Sequence, residues 1–162
     1  MTVVVADERV ADVAHVDVDV ERWKLLAANV LGDRGATGEL TLTFVDAEEI
    51  AVLNAEHMGK SGPTDVLSFP MDDDVSPSPD VPTLLGDVVV CPAIAAAQFA
   101  EHAGDYDDEM ALLVVHGILH VLGFDHEDTA EAARMRSIEL ELLKAHHWGG
   151  DAPRRFRQTH DE

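Results

Sequence analysis

Three histidines, His116, His120 and His126, stand in one run, HGILHVLGFDH, with the spacing H-x3-H-x5-H. No other stretch constrains the fold as strongly. The surrounding DEMALLVVHGILHVLG has a helical pattern, and residues four apart on a helix share a face. The imidazoles of His116 and His120 can therefore aim at one point in space. Gly123 permits a positive φ, which ends the helix and sends the chain back. His126 follows close enough to reach the same point. Three neutral imidazoles converging without a fourth protein ligand are the layout of a catalytic zinc site, whose open position takes water or substrate. The expected cofactor is one Zn2+ per chain, although nickel, copper and iron also accept imidazole.

The residue after the first histidine narrows the chemistry. Zinc proteases of the H-E-x-x-H-x-x-G-x-x-H type place a glutamate there as general base. This run matches that pattern at every other fixed position, but carries Gly117 where the glutamate stands. A metal-bound water reaches a pKa of about 7 unaided. Peptide hydrolysis also needs a proton delivered to a poor amine leaving group. The pattern thus points away from an ordinary protease and leaves metal-assisted hydrolysis of another bond.

A chain of 162 residues, 46% of them hydrophobic, is expected to form one domain with a real core. No apolar run has the length of a membrane span, and the acidic N-terminus lacks a signal pattern, so the expected location is cytoplasmic, with no membrane partner. The single cysteine, Cys91, excludes an internal disulfide and reads as a buried strand-end thiol. The formal charge of −21, from 11 Lys and Arg against 32 Asp and Glu, reads first as solvation. It predicts weak unaided affinity for RNA, because nucleic-acid binding needs a basic footprint, though a local basic cleft stays open.

Strands are expected at Val3–Val5, at Leu40–Phe44 where apolar residues alternate with threonine, at Val66–Phe69 and at Leu85–Cys91. Helices are expected from Val18 or Asp19 to Leu31, from Asp46 (a cap paired with Glu49) toward His57, from Ala93 to His102 behind Pro92, from Tyr106 to Leu122, and from Asp128 to His147. Residues 72–82 read as an acidic, Pro-rich surface loop. Residues 1–150 form the expected domain, and 151–162 a polar, flexible tail. The predicted class is α+β, with one mixed sheet packed by about five helices.

The histidine run resembles the signature of the YbeY family of bacterial rRNA-maturation endoribonucleases, H-G-x-L-H-x-x-G-x-D-H. It matches at His116, Gly117, Leu119, His120, Gly123, Asp125 and His126. GPTDVLSFP, from Gly62 to Pro70, is similar to the family's P-T-[ND]-V-L-S-F-P stretch, and LGDVVVCP, from Leu85 to Pro92, to its G-D-[IV]-x-[ILV]-[CS] strand. All three segments occur in the family's order. The resemblance implies a four-stranded, mostly parallel sheet with the zinc on a long helix beside a cleft. It also implies cleavage of single-stranded rRNA, in 16S 3′-end maturation and ribosome quality control. Implied partners are the small ribosomal subunit, one of its proteins near the rRNA 3′ end, and an Era-type GTPase. One departure stands out: the arginine that such proteins often carry five residues before the Pro, thought to serve activity, is Met58 here.

Asp125 and Lys60 complete the candidate set of catalytic residues. Asp125 reads as a partner for an imidazole N–H, a general base, or a turn aspartate. Lys60 reads as a phosphate contact near Met58 or as a solvated loop lysine, and it lacks the fork arginine offers phosphate. Met135 reads as core. His146 and His147 read as helix-end residues rather than ligands. His57, His15, His102 and His160 show no partner pattern, and Thr64 and Asp65 read as turn residues as readily as substrate contacts. Two other readings remain: a metallopeptidase-like hydrolase, and a non-catalytic ribosome-assembly factor with structural zinc.

Overall fold

The computed structural model describes residues 2–10, 16–71 and 83–158. The segment 72–82, expected as a surface loop, lies outside the described residues, as do His15 and His160. The described elements are β1 (Thr2–Asp7), α1 (Val20–Asp33), β2 (Glu39–Phe44), α2 (Ala47–Met58), β3 (Val66–Pro70), β4 (Leu84–Val90), α3 (Pro92–Gln98), α4 (Tyr106–Val121) and α5 (Thr129–Leu143). A 3-10 turn, Phe99–Glu101, follows α3, and a π-helical turn, Lys144–Trp148, extends α5.

The sheet order is β1-β2-β4-β3. β1, β2 and β4 run parallel, and β3 pairs antiparallel with β4. The class is therefore the expected one: an α+β domain with five helices around a four-stranded, mostly parallel sheet.

Strand alternation divides the core in two. Successive side chains on a strand point to opposite faces. Leu40, Leu42, Phe44, Val66, Val88 and Val90 join the main core. Leu67 and Val89 face the other way, into a smaller cluster with Ile50 of α2 and Cys91. Slipping β4 by one residue would exchange these sets, so its register is fixed by burial.

α4 runs through the main core and is buried almost all round, from Asp108 to Leu119. A helix apolar on every side belongs between layers rather than on a surface. α4 packs on β3 and β4 on one side and on α1 and α5 on others. Gly117 explains how closely it sits on the sheet. A Cβ there would lie 2.5 Å from Val88 Cγ1 and 3.3 Å from both Ser68 Oγ and Val66 Cγ2. Ser68 Oγ donates to the Gly117 carbonyl at 2.9 Å.

Several sequence expectations are corrected. Asp46 stands at the N-cap of α2, but its side chain does not cap the helix. Its Oδ2 accepts from the Val10 N–H at 2.8 Å, tying the chain after β1 to α2. α3 ends at Gln98 and tightens into the 3-10 turn rather than running to His102. Within the described part of the expected tail, residues 151–158, Phe156 stacks edge-on against Trp148, with ring centroids 4.7 Å apart. Gln158 Nε2 donates to the Arg136 carbonyl at 2.8 Å and to Glu139 Oε1 at 3.0 Å. A single aromatic residue in an otherwise polar stretch is too small a signal to show such packing in advance.

Candidate metal centre

The helix and turn expected around the histidines form as the residues dictate. Asp105 caps α4, accepting from the N–H groups of Asp107 and Asp108. The helix ends at Val121, and Gly123 takes φ +100°. The Phe124 N–H then reaches back to the Leu119 carbonyl at 2.9 Å, and the Gly123 N–H to that of His120 at 3.0 Å, closing the helix end. This turn brings His126 beside the two helical histidines. The ring centroids lie 4.5 Å apart for His116 and His120, 5.0 Å for His120 and His126, and 5.6 Å for His116 and His126.

The donor geometry fits a tetrahedral ion. One nitrogen from each ring lies within 4.8 Å of the others. His116 Nε2 and His120 Nε2 are 3.0 Å apart. Nitrogens bound to one tetrahedral zinc at ordinary bond lengths sit about 3.3 Å apart, so a small opening of the pair accommodates an ion. Burial, and then the nearby His126, push the His120 pKa below its ordinary value, which favours the neutral, ligating imidazole. Among the described residues, no fourth histidine, cysteine or carboxylate joins this group.

The ring of His116 is held from behind. Its Nδ1 lies 2.5 Å from Glu139 Oε2, and both side chains are nearly fully buried. A carboxylate on Nδ1 fixes the tautomer that leaves Nε2 free to ligate, raises ligand basicity and locks the ring orientation. Glu139 is in turn held through Oε1 by Gln158. Sequence reading missed both residues. Glu139 sits in the apolar face of α5 between Ile138 and Leu142, and a buried glutamate at core spacing was the available signal.

The three imidazoles open into a cleft of about 560 Å³. Lys60 and Met58 line one part of it, Ser68 the strand side, and Phe124, Asp125 and Glu127 the turn side. Asp125 Oδ1 accepts from the His126 N–H at 2.7 Å, so it stabilises the turn that presents the third histidine. Gly117 faces the sheet, not the cleft. A glutamate at this position, as in the zinc proteases, would have no room on this fold.

The sequence model of the family described as Endoribonuclease YbeY matches residues 8–147. The chain belongs to the YbeY endoribonuclease family. Relatives named "Endoribonuclease YbeY" include one from Acidothermus cellulolyticus, 47% identical and covering 93% of each chain. Others are from Thermobifida fusca, at 45% identity over 83% of this chain and 90% of that one, and from Salinispora tropica, at 39% over 83% and 92%. A solution structure from Thermotoga maritima shares the fold with a TM-score of 0.57 at 23% identity, covering 89% of this chain and 91% of that one.

Not every sequence candidate gathers at the site of this YbeY protein. Lys60 and Asp125 reach the cleft, as does Met58 in place of the arginine. His57 lies elsewhere, edge-on to Phe69 in a separate pocket with Asp87. Thr64 and Asp65 are also away from the cleft lining. Asp65 is buried and accepts from Gln98 Nε2 at 2.6 Å, while the same nitrogen donates to Glu109 Oε2 at 2.9 Å. His102, without a partner pattern in the sequence, approaches Glu109 at 3.3 Å. His147 is not a simple helix-end residue: its side chain is 3% exposed and bonds Asp108 at 2.8 Å, beside the Trp148 indole N–H at 2.9 Å. Met135 is core, as expected.

Proposed function

We propose that this protein is a metal-dependent endoribonuclease that acts on single-stranded rRNA, with zinc held by His116, His120 and His126. The observation that carries this reading is the convergence of three imidazoles on a cleft, with the innermost ring braced by a buried glutamate. Membership of the YbeY family supplies the reaction class, hydrolysis of RNA in rRNA processing. The finer role is maturation of the 16S 3′ end and ribosome quality control in the cytoplasm. The small ribosomal subunit, one of its proteins and an Era-type GTPase are its partners. No helix among the described residues is long and apolar enough to cross a membrane, which suits this role.

When bound, the metal supplies Lewis-acid polarisation of a phosphate oxygen and a water of lowered pKa. The protein's own groups do the rest. Glu139 keeps His116 in the ligating tautomer. Asp125 commits one oxygen to the His126 backbone. Its other oxygen takes the proton released as the nucleophile, a water or the substrate 2′-hydroxyl, attacks phosphorus; the P–O bond to the departing ribose oxygen breaks, and that oxygen takes up a proton from Asp125 or solvent. Lys60, exposed in the cleft, meets a phosphate oxygen.

A nuclease-free preparation of the H116A/H120A/H126A variant tests this reading. Cleavage of a single-stranded rRNA fragment should fall to background. Cleavage at the original rate would sink it.

A further inference from the structure

The chain's charge poses a problem for any RNA enzyme. With 32 acidic and 11 basic residues, its field repels phosphate. Cations near the cleft therefore matter most where carboxylates do not already neutralise them. Arg9, Arg22 and Arg155 are each taken up by aspartates. Two other arginines behave differently. The Arg34 guanidinium carbon lies 5.4 Å from the centre of the Phe124 ring, and that of Arg134 lies 5.5 Å from the same centre. Neither has a carboxylate within ion-pair distance among the described residues, and both are exposed. Asp33, beside Arg34, is engaged by His146 at 2.9 Å instead.

These arginines come from distant parts of the chain. Arg34 follows α1, and Arg134 lies on α5. They meet at Phe124, a half-buried ring that lines the same cleft as the three histidines. A cation drawn to an aromatic face, without a partner acid, keeps its N–H donors available. Guanidinium grips phosphate through two parallel bonds, which Lys60 does not. Guanidinium planes and aromatic faces are also the surfaces on which unpaired bases stack. The cleft itself carries Asp125 and Glu127, so a phosphate needs such a counterweight at the lip.

Resting on the endoribonuclease reading, we propose that Arg34 and Arg134, gathered on Phe124, form the phosphate-binding lip over which a single RNA strand enters the His116, His120 and His126 cleft. They supply the forked cation that Met58 does not. Lys60 engages the strand from another part of the same cleft.

The test is binding of a short fluorescent single-stranded RNA to the metal-loaded full chain across a salt series. R34Q/R134Q should weaken binding roughly tenfold at moderate salt. It should also flatten the slope of log K against log salt by about 1.4, at 0.7 per single-strand phosphate contact. A charge-matched control, K24Q/R154Q, should leave the slope unchanged. R34K/R134K should restore the slope but only part of the affinity, because the charge returns without the fork. Zinc content and melting temperature should match wild type in all three. A slope for R34Q/R134Q equal to that of the control overturns the lip assignment while leaving the endoribonuclease reading intact. Wild type that neither binds nor cleaves the RNA overturns both.

Discussion

Among the described residues, two clusters place three ligand-type side chains within reach of one ion: His116, His120 and His126, and Asp65, His102 and Glu109. They differ in what already fills them. In the second, Gln98 Nε2 sits between the carboxylates at 2.6 and 2.9 Å, and the Ala103 N–H donates to Glu109 Oε1 at 3.1 Å. The chain's own donors close that site, which joins α3 and α4 to the loop before β3. In the first, two ring nitrogens face each other at 3.0 Å, and the structural bond goes to the outer nitrogen of His116 instead. Convergence of ligand atoms is thus shared by both clusters. What marks a metal centre is that its internal bonds stop at the back of the ligands.

That contrast breaks if the wrong cluster binds. Removing all three imidazoles in H116A/H120A/H126A should take the zinc content, measured by elemental analysis, from about one per chain to none. H102A should leave it at about one. Metal retained by the triple variant would reverse the assignment. The next effect belongs to the closed cluster. Glu109→Ala leaves the buried Ala103 N–H without its acceptor and the Gln98 amide with Asp65 alone, and should cost about 2 kcal/mol in denaturant unfolding. Zinc affinity should not change once the protein is folded.

Smaller effects sharpen the role of Glu139. Glu139→Gln keeps the shape but loses the charge on His116 Nδ1, and zinc affinity by competitive chelation should fall about 10- to 100-fold. An unchanged affinity would reduce Glu139 to packing. The smallest effect concerns pH. The folded His120 pKa is depressed below 6.5 by burial, so the unfolded chain binds the proton more readily. Its contribution to stability is complete above 6.5 and is lost as pH falls through the lower folded value. The melting temperature of metal-free protein should therefore decline on acidification more steeply than that of H120Q. Parallel curves would show that burial of His120 carries no such penalty.

Local periodicity and turn chemistry were enough to recover the strands, the long buried helix and the glycine turn that gathers the histidines. Each of those features is decided within a few residues. The alternation in β2, the four-residue spacing of His116 and His120 and the φ of Gly123 all depend on neighbours in the chain. Glu139, Gln158 and the pairing of Arg34 with Arg134 on Phe124 were not readable in this way. They depend on the angle at which α5, α1 and the chain after Trp148 pack around α4.

Gly117 shows both levels at once. The sequence showed that no catalytic glutamate follows the first histidine. Only the packed structure revealed that the position faces Val88 across a gap too narrow for any side chain. The sequence by itself determined which three rings could meet, because helix pitch and a glycine turn are local. The tertiary structure decided which ring is braced, which cluster is sealed and where unpaired charge collects, because those contacts join residues whose separation along the chain carries no period.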